Sequence, residues 1–178
     1  GIKELKEAMK FAEHFDGPIA IRFARGVAFP EIKEDINLQY GKGQILKEGS
    51  KDGNNAGGNV AIIAVGSMVE ETYKAIDMLE KENVHPAFVN PVFIKPMDTE
   101  LIKRVAENYK HIIVEEGIKK GGFGESVETF ILESGIDADV QVMAIDDRFV
   151  EQGNVALLRE EIGISYKNIY EKVMELTR

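Results

Sequence analysis

The sequence predicts an α/β protein built as three layers, helices on both sides of a mostly parallel, mixed sheet of about five strands, and two observations lead to it. The first is residues 60–79, VAIIAVGSMVEETYKAIDML, which hold a strand, a tight turn and an amphipathic helix without a break. Val60, Ile62, Ile63 and Val65 are apolar on both faces of a short run, as a parallel strand covered above and below requires. Val69, Thr72, Ile76 and Leu79 then recur on one helical face, which must lie on the sheet. The second is that the same strand, turn and helix unit recurs three more times downstream, so one α/β domain runs from about residue 42 to the end.

Taken in order, residues 2–13 place Ile2, Leu5, Ala8, Met9 and Ala12 on one face of a helix that needs an apolar partner. Gly17 and Pro18 stop it, and Ile19, Ala20, Ile21 and Phe23 read as a buried strand interrupted by Arg22. One helix and one strand cannot enclose a core, so they close a domain that lies upstream or dock on the one that follows. Residues 27–40 lack a period and suit a connection. Residues 43–46 suit an edge strand, and 49–59, GSKDGNNAGGN, a turn before Val60.

In the first unit Ser67 is positioned to cap the helix, with Glu70 and Glu71 complementing its positive end. Residues 87–90 are the next strand, 91–96 a proline-bounded crossing, and Asp98 the cap of helix 99–108. Strand 111–115 leads through Gly121, Gly122 and Gly124 into a helix with Phe123, Val127, Phe130 and Ile131 inside, stopped at Gly135. Strand 140–145 follows. Asn154 caps a short helix ended by Gly163, and Ser165 caps a last one that buries Ile169, Tyr170, Val173 and Met174.

Composition narrows the function. The 178 residues are 44% hydrophobic and carry a formal charge of −9, enough for one buried core plus an appendage and unsuited to nucleic acid or an anionic membrane as a partner. No run is long and apolar enough to cross a bilayer. With no cysteine and three scattered histidines, His14, His85 and His111, there is no thiolate chemistry and no metal-ligand spacing, and a reducing cytoplasm fits. Each histidine reads as a surface or boundary residue. The chain begins with Gly1, and its first helix has nothing before it to rest on, which suggests an excised piece.

Three places offer chemistry. The turn at Gly121, Gly122, Phe123 and Gly124 ahead of a helix suits an anion, but Glu125 in the first helical turn and Glu115 and Glu116 nearby already put negative charge there, so a structural turn is favoured. Glu115 and Glu116 are neighbours in a strand and point to opposite faces, which favours a cap or an interface over an acid and base pair. Arg25 follows an apolar strand, precedes Gly26, and sits where open α/β sheets bind ligands. Its planar fork suits a phosphate or carboxylate; an interdomain salt bridge is the equal alternative from residue types alone.

Five segments in order resemble one family. These are GPIAIRFARG at 17–26, YGKGQILKEG at 40–49, VNPVFIKPMD at 89–98, VEEGIKKGGFGESV at 114–127 and AIDDRFVEQG at 144–153, followed by LREEIGIS near the end. The chain resembles the C-terminal portion of the 1-deoxy-D-xylulose-5-phosphate synthase family of transketolase-type thiamine-diphosphate enzymes. Phe23 and Ala24 stand where that family has tyrosine and proline, and Ala144 and Asp146 replace its glycine and proline.

The resemblance implies that residues 1–26 are the tail of a pyrimidine-binding domain, 27–41 an interdomain linker and 42–178 a transketolase C-terminal domain. It implies a cytoplasmic, homodimeric parent that condenses pyruvate with glyceraldehyde 3-phosphate, releasing CO2, for isoprenoid, thiamine and pyridoxal precursors. In that family the arginine matching Arg25 holds the aldehyde's phosphate. Thiamine diphosphate, Mg2+ and the catalytic residues belong to missing N-terminal domains, so no catalytic, cofactor-binding or metal residue is expected here and the fragment is expected to be inactive alone. Rival readings are a transketolase or a 2-oxo acid dehydrogenase β subunit, and a non-catalytic dimerisation module.

Overall fold

The computed structural model describes residues 1–24, 26, 38–50 and 57–177. Five strands form one sheet in the order β1-β3-β2-β4-β5. They are β1 (Gln44–Lys47), β2 (Val60–Ala64), β3 (Ala87–Asn90), β4 (Lys110–Ile118) and β5 (Val140–Ile145). β2 pairs in parallel with β3 and β4, and β4 with β5. β1 runs antiparallel along β3, with Ile45 opposite Val89, and forms one edge. The expected edge strand is therefore present, shifted by one residue.

Every residue of β2 is fully buried, because this central strand is covered on both faces. On one side Val60, Ile62 and Ala64 meet α2 (Met68–Lys81) and α6 (Tyr166–Leu176) through Met68, Ala75, Leu79, Ile169 and Val173. On the other side Ala61 and Ile63 meet α3 (Thr99–Asn108) and α4 (Phe123–Glu133) through Ile102, Val105, Val127 and Ile131. Alternating side chains of one strand thus feed two cores, giving the three-layer arrangement. In α6, Ile169 and Val173 are buried, while Tyr170 and Met174 are half-buried at its margin.

Helix ends follow the sequence except at α2. Asp98 accepts a hydrogen bond from Leu101 N at 3.1 Å, Asn154 caps α5 (Val155–Glu161), and Ser165 caps α6 in a capping box with Asn168. Gly135 at φ +67° and Gly163 at φ +82° end α4 and α5 in the left-handed conformation that glycine adopts without steric cost. Ser67 makes no cap; its hydroxyl is drawn away to Glu116.

α1 (Ile2–His14) forms as expected, and Leu5, Ala8 and Ala12 of the expected stripe are half-buried. Ile2 and Met9 are exposed, whereas Phe11 and Phe15 join Tyr40 and Phe93 in a chain of ring contacts with centroids 5.2 to 6.1 Å apart. The ring contacts add to this aliphatic face. The strand expected at 19–23 is not formed: residues 18–24 join no ladder, and Ile19 and Phe23 are exposed. A strand needs a neighbour to satisfy its backbone groups, and no described strand pairs with this segment. Most of the expected linker and of the glycine and asparagine turn at 49–59 lies outside the described residues.

Candidate functional site at the carboxyl edge of the sheet

From β2 the chain turns through α2 to β3 on one side, and from β4 through α4 to β5 on the other. The carboxyl ends of β2 and β4 therefore flank the point where the winding reverses, the place where open α/β sheets hold ligands. In this protein that crevice is filled by its own side chains. Arg159, reaching in from α5, donates from Nε to Glu116 Oε1 at 3.1 Å and from Nη2 to Glu116 Oε2 at 2.9 Å. Its Nη1 reaches Glu71 Oε1 at 3.3 Å. Ser67, at the turn after β2, donates to Glu116 Oε2.

Glu71 is buried on α2 yet fully used. Beyond Arg159 it receives Lys74 Nζ at 3.1 Å and the backbone N–H of Tyr166, the first residue of α6, at 2.9 Å. One carboxylate thus joins α2, α5 and α6. Burial alone would raise the Glu116 carboxyl, but the hydrogen bonds from Arg159 and Ser67 and the Arg159 charge hold it below the usual carboxylate value. Burial likewise works against the Arg159 cation and is overcome by Glu116 and Glu71, which raise it.

The glycine turn is filled in the same manner. Glu115 points to the face opposite Glu116 and accepts from the N–H groups of Phe123 at 3.1 Å and Gly124 at 2.8 Å, the free donors at the start of α4. Glu125 Oε2 accepts from Gly121 N at 2.5 Å. An internal carboxylate thus occupies the position an anion would take. A Cβ at Gly122 would meet the Ile118 carbonyl oxygen and come within 2.5 Å of Glu115 Oε1, so glycine is required for the close approach. Of the cap or interface role expected for the two glutamates, Glu115 takes the cap, Glu116 pairs with Arg159 of the same chain, and the turn is structural.

At the β3 end of the same edge, Asn90 donates to Glu4 Oε1 at 2.7 Å and accepts from Val92 N at 3.0 Å. Asp98 accepts from Gly43 N at 3.0 Å as well as capping α3. These contacts fix α1 and the entry to β1 against the carboxyl edge. Arg25 lies outside the described residues; its neighbours Ala24 and Gly26 are exposed. His111 is not a boundary residue: it is fully buried, with Nε2 3.0 Å from the Val105 carbonyl and Nδ1 3.3 Å from that of Asp139. Backbone acceptors on both sides make a histidine tolerable there. No group of three or more potential metal ligands occurs among the described residues, and no described helix is long and apolar enough to cross a membrane.

Comparison with known proteins agrees with this architecture. The family described as "Transketolase, C-terminal domain" matches residues 48–169. The 1-deoxy-D-xylulose-5-phosphate synthase of Heliobacterium modesticaldum is 35% identical over 176 residues, covering 97% of this chain and 26% of that protein. That of Alkaliphilus oremlandii is 37% identical over 172 residues, covering 96% and 26%. The chain therefore spans about a quarter of the length of these relatives. A solved structure described as "Split gene transketolase, inactive beta4 tetramer" superposes with a TM-score of 0.84 at 28% identity, covering 99% of this chain and 56% of that one. A mixed, mostly parallel sheet between helix layers and a family match over residues 48–169 lead to one assignment: the chain belongs to the transketolase C-terminal domain family.

Proposed function

We propose that this chain is the C-terminal part of a cytoplasmic 1-deoxy-D-xylulose-5-phosphate synthase, a thiamine-diphosphate-dependent transferase that joins pyruvate to glyceraldehyde 3-phosphate with loss of CO2. The observation that carries the reading is identity of 35% and 37% to two such synthases over nearly the whole chain. In this reading residues 1–26 end the pyrimidine-binding domain, 27–41 link the domains, and 42–178 form the C-terminal domain of a homodimer.

The described residues do not fit thiamine diphosphate or Mg2+. The helix terminus suited to a diphosphate is taken by Glu115, and no ligand cluster for a cation is formed among the described residues. No chemical step is therefore assigned to them. In the proposal the cofactor sits in upstream domains, the fragment alone is inactive, and Arg25 holds the phosphate of the aldehyde substrate. Arg25→Ala in the longer enzyme is expected to raise KM for glyceraldehyde 3-phosphate about tenfold or more, as loss of a charge-assisted contact implies, while sparing pyruvate. Equal effects on both substrates would overturn that role.

The likeness to a split-gene transketolase favours a second reading, a transketolase acting on ketose donors. Assay of the longer enzyme with pyruvate and with ketose phosphates separates the two.

A further inference from the structure

We propose that Phe93 is a positioning residue: with Phe11, Phe15 and Tyr40 it forms an aromatic clasp that anchors α1 and the entry to β1 on the carboxyl edge of the sheet and so fixes the reach of Arg25. The inference deepens the Arg25 reading above and rests on it. Each of the four rings touches two others in a closed circuit. Between centroids, Phe11 lies 5.6 Å from Phe15, Phe15 5.2 Å from Tyr40, Tyr40 6.1 Å from Phe93, and Phe93 5.6 Å from Phe11. Both contacts of Phe93 are edge-to-face, the arrangement the ring quadrupoles favour.

Phe93 is the contribution of the sheet to this circuit, and a strained turn after β3 presents it. Val92 has φ +55°, a region a β-branched residue rarely enters, and Phe93 N donates to Pro91 O at 2.5 Å across it. A γ-turn of this kind persists only where its surroundings over-determine it. Here Asn90, itself buried, accepts from Val92 N at 3.0 Å and donates to Glu4 Oε1 at 2.7 Å. One side chain thus holds the turn and the first turn of α1, while Phe93 meets Phe11 in the last.

What lies between the members of the clasp gives it its role. Phe15 follows α1 and Tyr40 precedes β1, so their contact brings together the two ends of residues 16–39, and Arg25 falls between them in the sequence. None of the described residues of that stretch joins a ladder, so pinning its two ends restricts where Arg25 can reach. α1 has no fully buried residue, and a helix of its length is marginal without a partner. Its hold on the sheet therefore depends on its half-buried face, Asn90 and the clasp. A group that binds a substrate phosphate must be held close to its productive position, and a small displacement from a distant change weakens it.

Amide exchange of the full 178-residue chain reads the clasp, and substrate kinetics of the longer enzyme read the positioning. Phe93→Ala is expected to speed exchange in α1 about tenfold with β2 unchanged, and Asn90→Asp to do likewise by setting a second carboxylate against Glu4. In the longer enzyme Phe93→Ala is expected to raise KM for glyceraldehyde 3-phosphate about fivefold and leave KM for pyruvate unchanged, and Phe93→Tyr to restore it. A loss of stability alone would lower the active fraction without separating the two substrates. Exchange in α1 indifferent to both variants would overturn the clasp. A loosened α1 with both KM values unchanged, or both raised alike, would overturn the positioning role. If Arg25→Ala itself spares KM for glyceraldehyde 3-phosphate, the Arg25 reading falls and the positioning role with it, while exchange in α1 still decides the clasp.

Discussion

Arg159 grips Glu116 with two parallel hydrogen bonds, Nε to Oε1 at 3.1 Å and Nη2 to Oε2 at 2.9 Å, across 43 residues of sequence. This fork is what attaches α5, a helix without a buried residue, to the sheet. Arg159→Met leaves Glu116 and Glu71 without their shared cation, and breaking such a part-buried pair is expected to cost about 2–4 kcal/mol. Arg159→Lys should recover only part of it, because an ammonium cannot span both carboxylate oxygens of Glu116 and also reach Glu71. Urea unfolding gives the loss, and amide exchange should show α5 opening well before the sheet. Equal stability of wild type and Met variant would mean that α5 is held by something else.

The same pair sets an acid limit. The folded Glu116 carboxyl lies below its ordinary value, since burial, which opposes ionisation, is outweighed by Arg159 and Ser67. A depressed folded value contributes stability that is fully present above the unfolded value of about 4.3 and lost as pH falls through the folded one. Wild-type stability measured against Glu116→Gln should therefore show its full advantage near pH 6, with the gap narrowing steadily below about pH 4. A gap independent of pH would assign the effect to packing.

The contrast between α2 and α5 shows what the sequence could reveal. The strand, turn and inner face around Val60 and Leu79 were legible because burial imposes a local period, and the separation of Glu115 from Glu116 was legible because strand alternation points neighbours to opposite faces. Arg159 and its carboxylates were not, because they are 43 and 88 residues apart in the chain and no period links them. His111 looked peripheral at a strand start, yet the carbonyls of Val105 and Asp139 accept it inside. Residues 19–23 have strand composition, but pairing needs a neighbour that composition does not disclose. Phe149, in a segment read only through its resemblance to the family, gave no local sign that its ring stands in the open.

Glu115 takes the place of a ligand anion at the start of α4. Glu115→Ala removes the acceptor of two buried N–H groups, those of Phe123 and Gly124, and is expected to cost about 2–3 kcal/mol. It also vacates an anion site. Sulfate should then raise the melting temperature of Glu115→Ala more than that of wild type or of a sodium chloride control of equal ionic strength. No difference between the two salts would mean that the terminus closes when the carboxylate is lost.

Thr72 lies on the inner face of α2 with no solvent exposure, and its Oγ1 is buried without a hydrogen-bond partner. The hydroxyl was desolvated on folding and gained nothing in exchange, so replacing it by a methyl of nearly the same shape removes a cost without opening a cavity. Thr72→Val is therefore expected to be neutral or to stabilise by up to about 1–2 kcal/mol. Thr72→Ser keeps the unpartnered hydroxyl and loses the methyl, and should destabilise by about 1 kcal/mol. Denaturant midpoints of the two variants at equal m-value give the comparison. A destabilised valine with a stable serine would show that the hydroxyl has a partner and that the inner face of α2 depends on it.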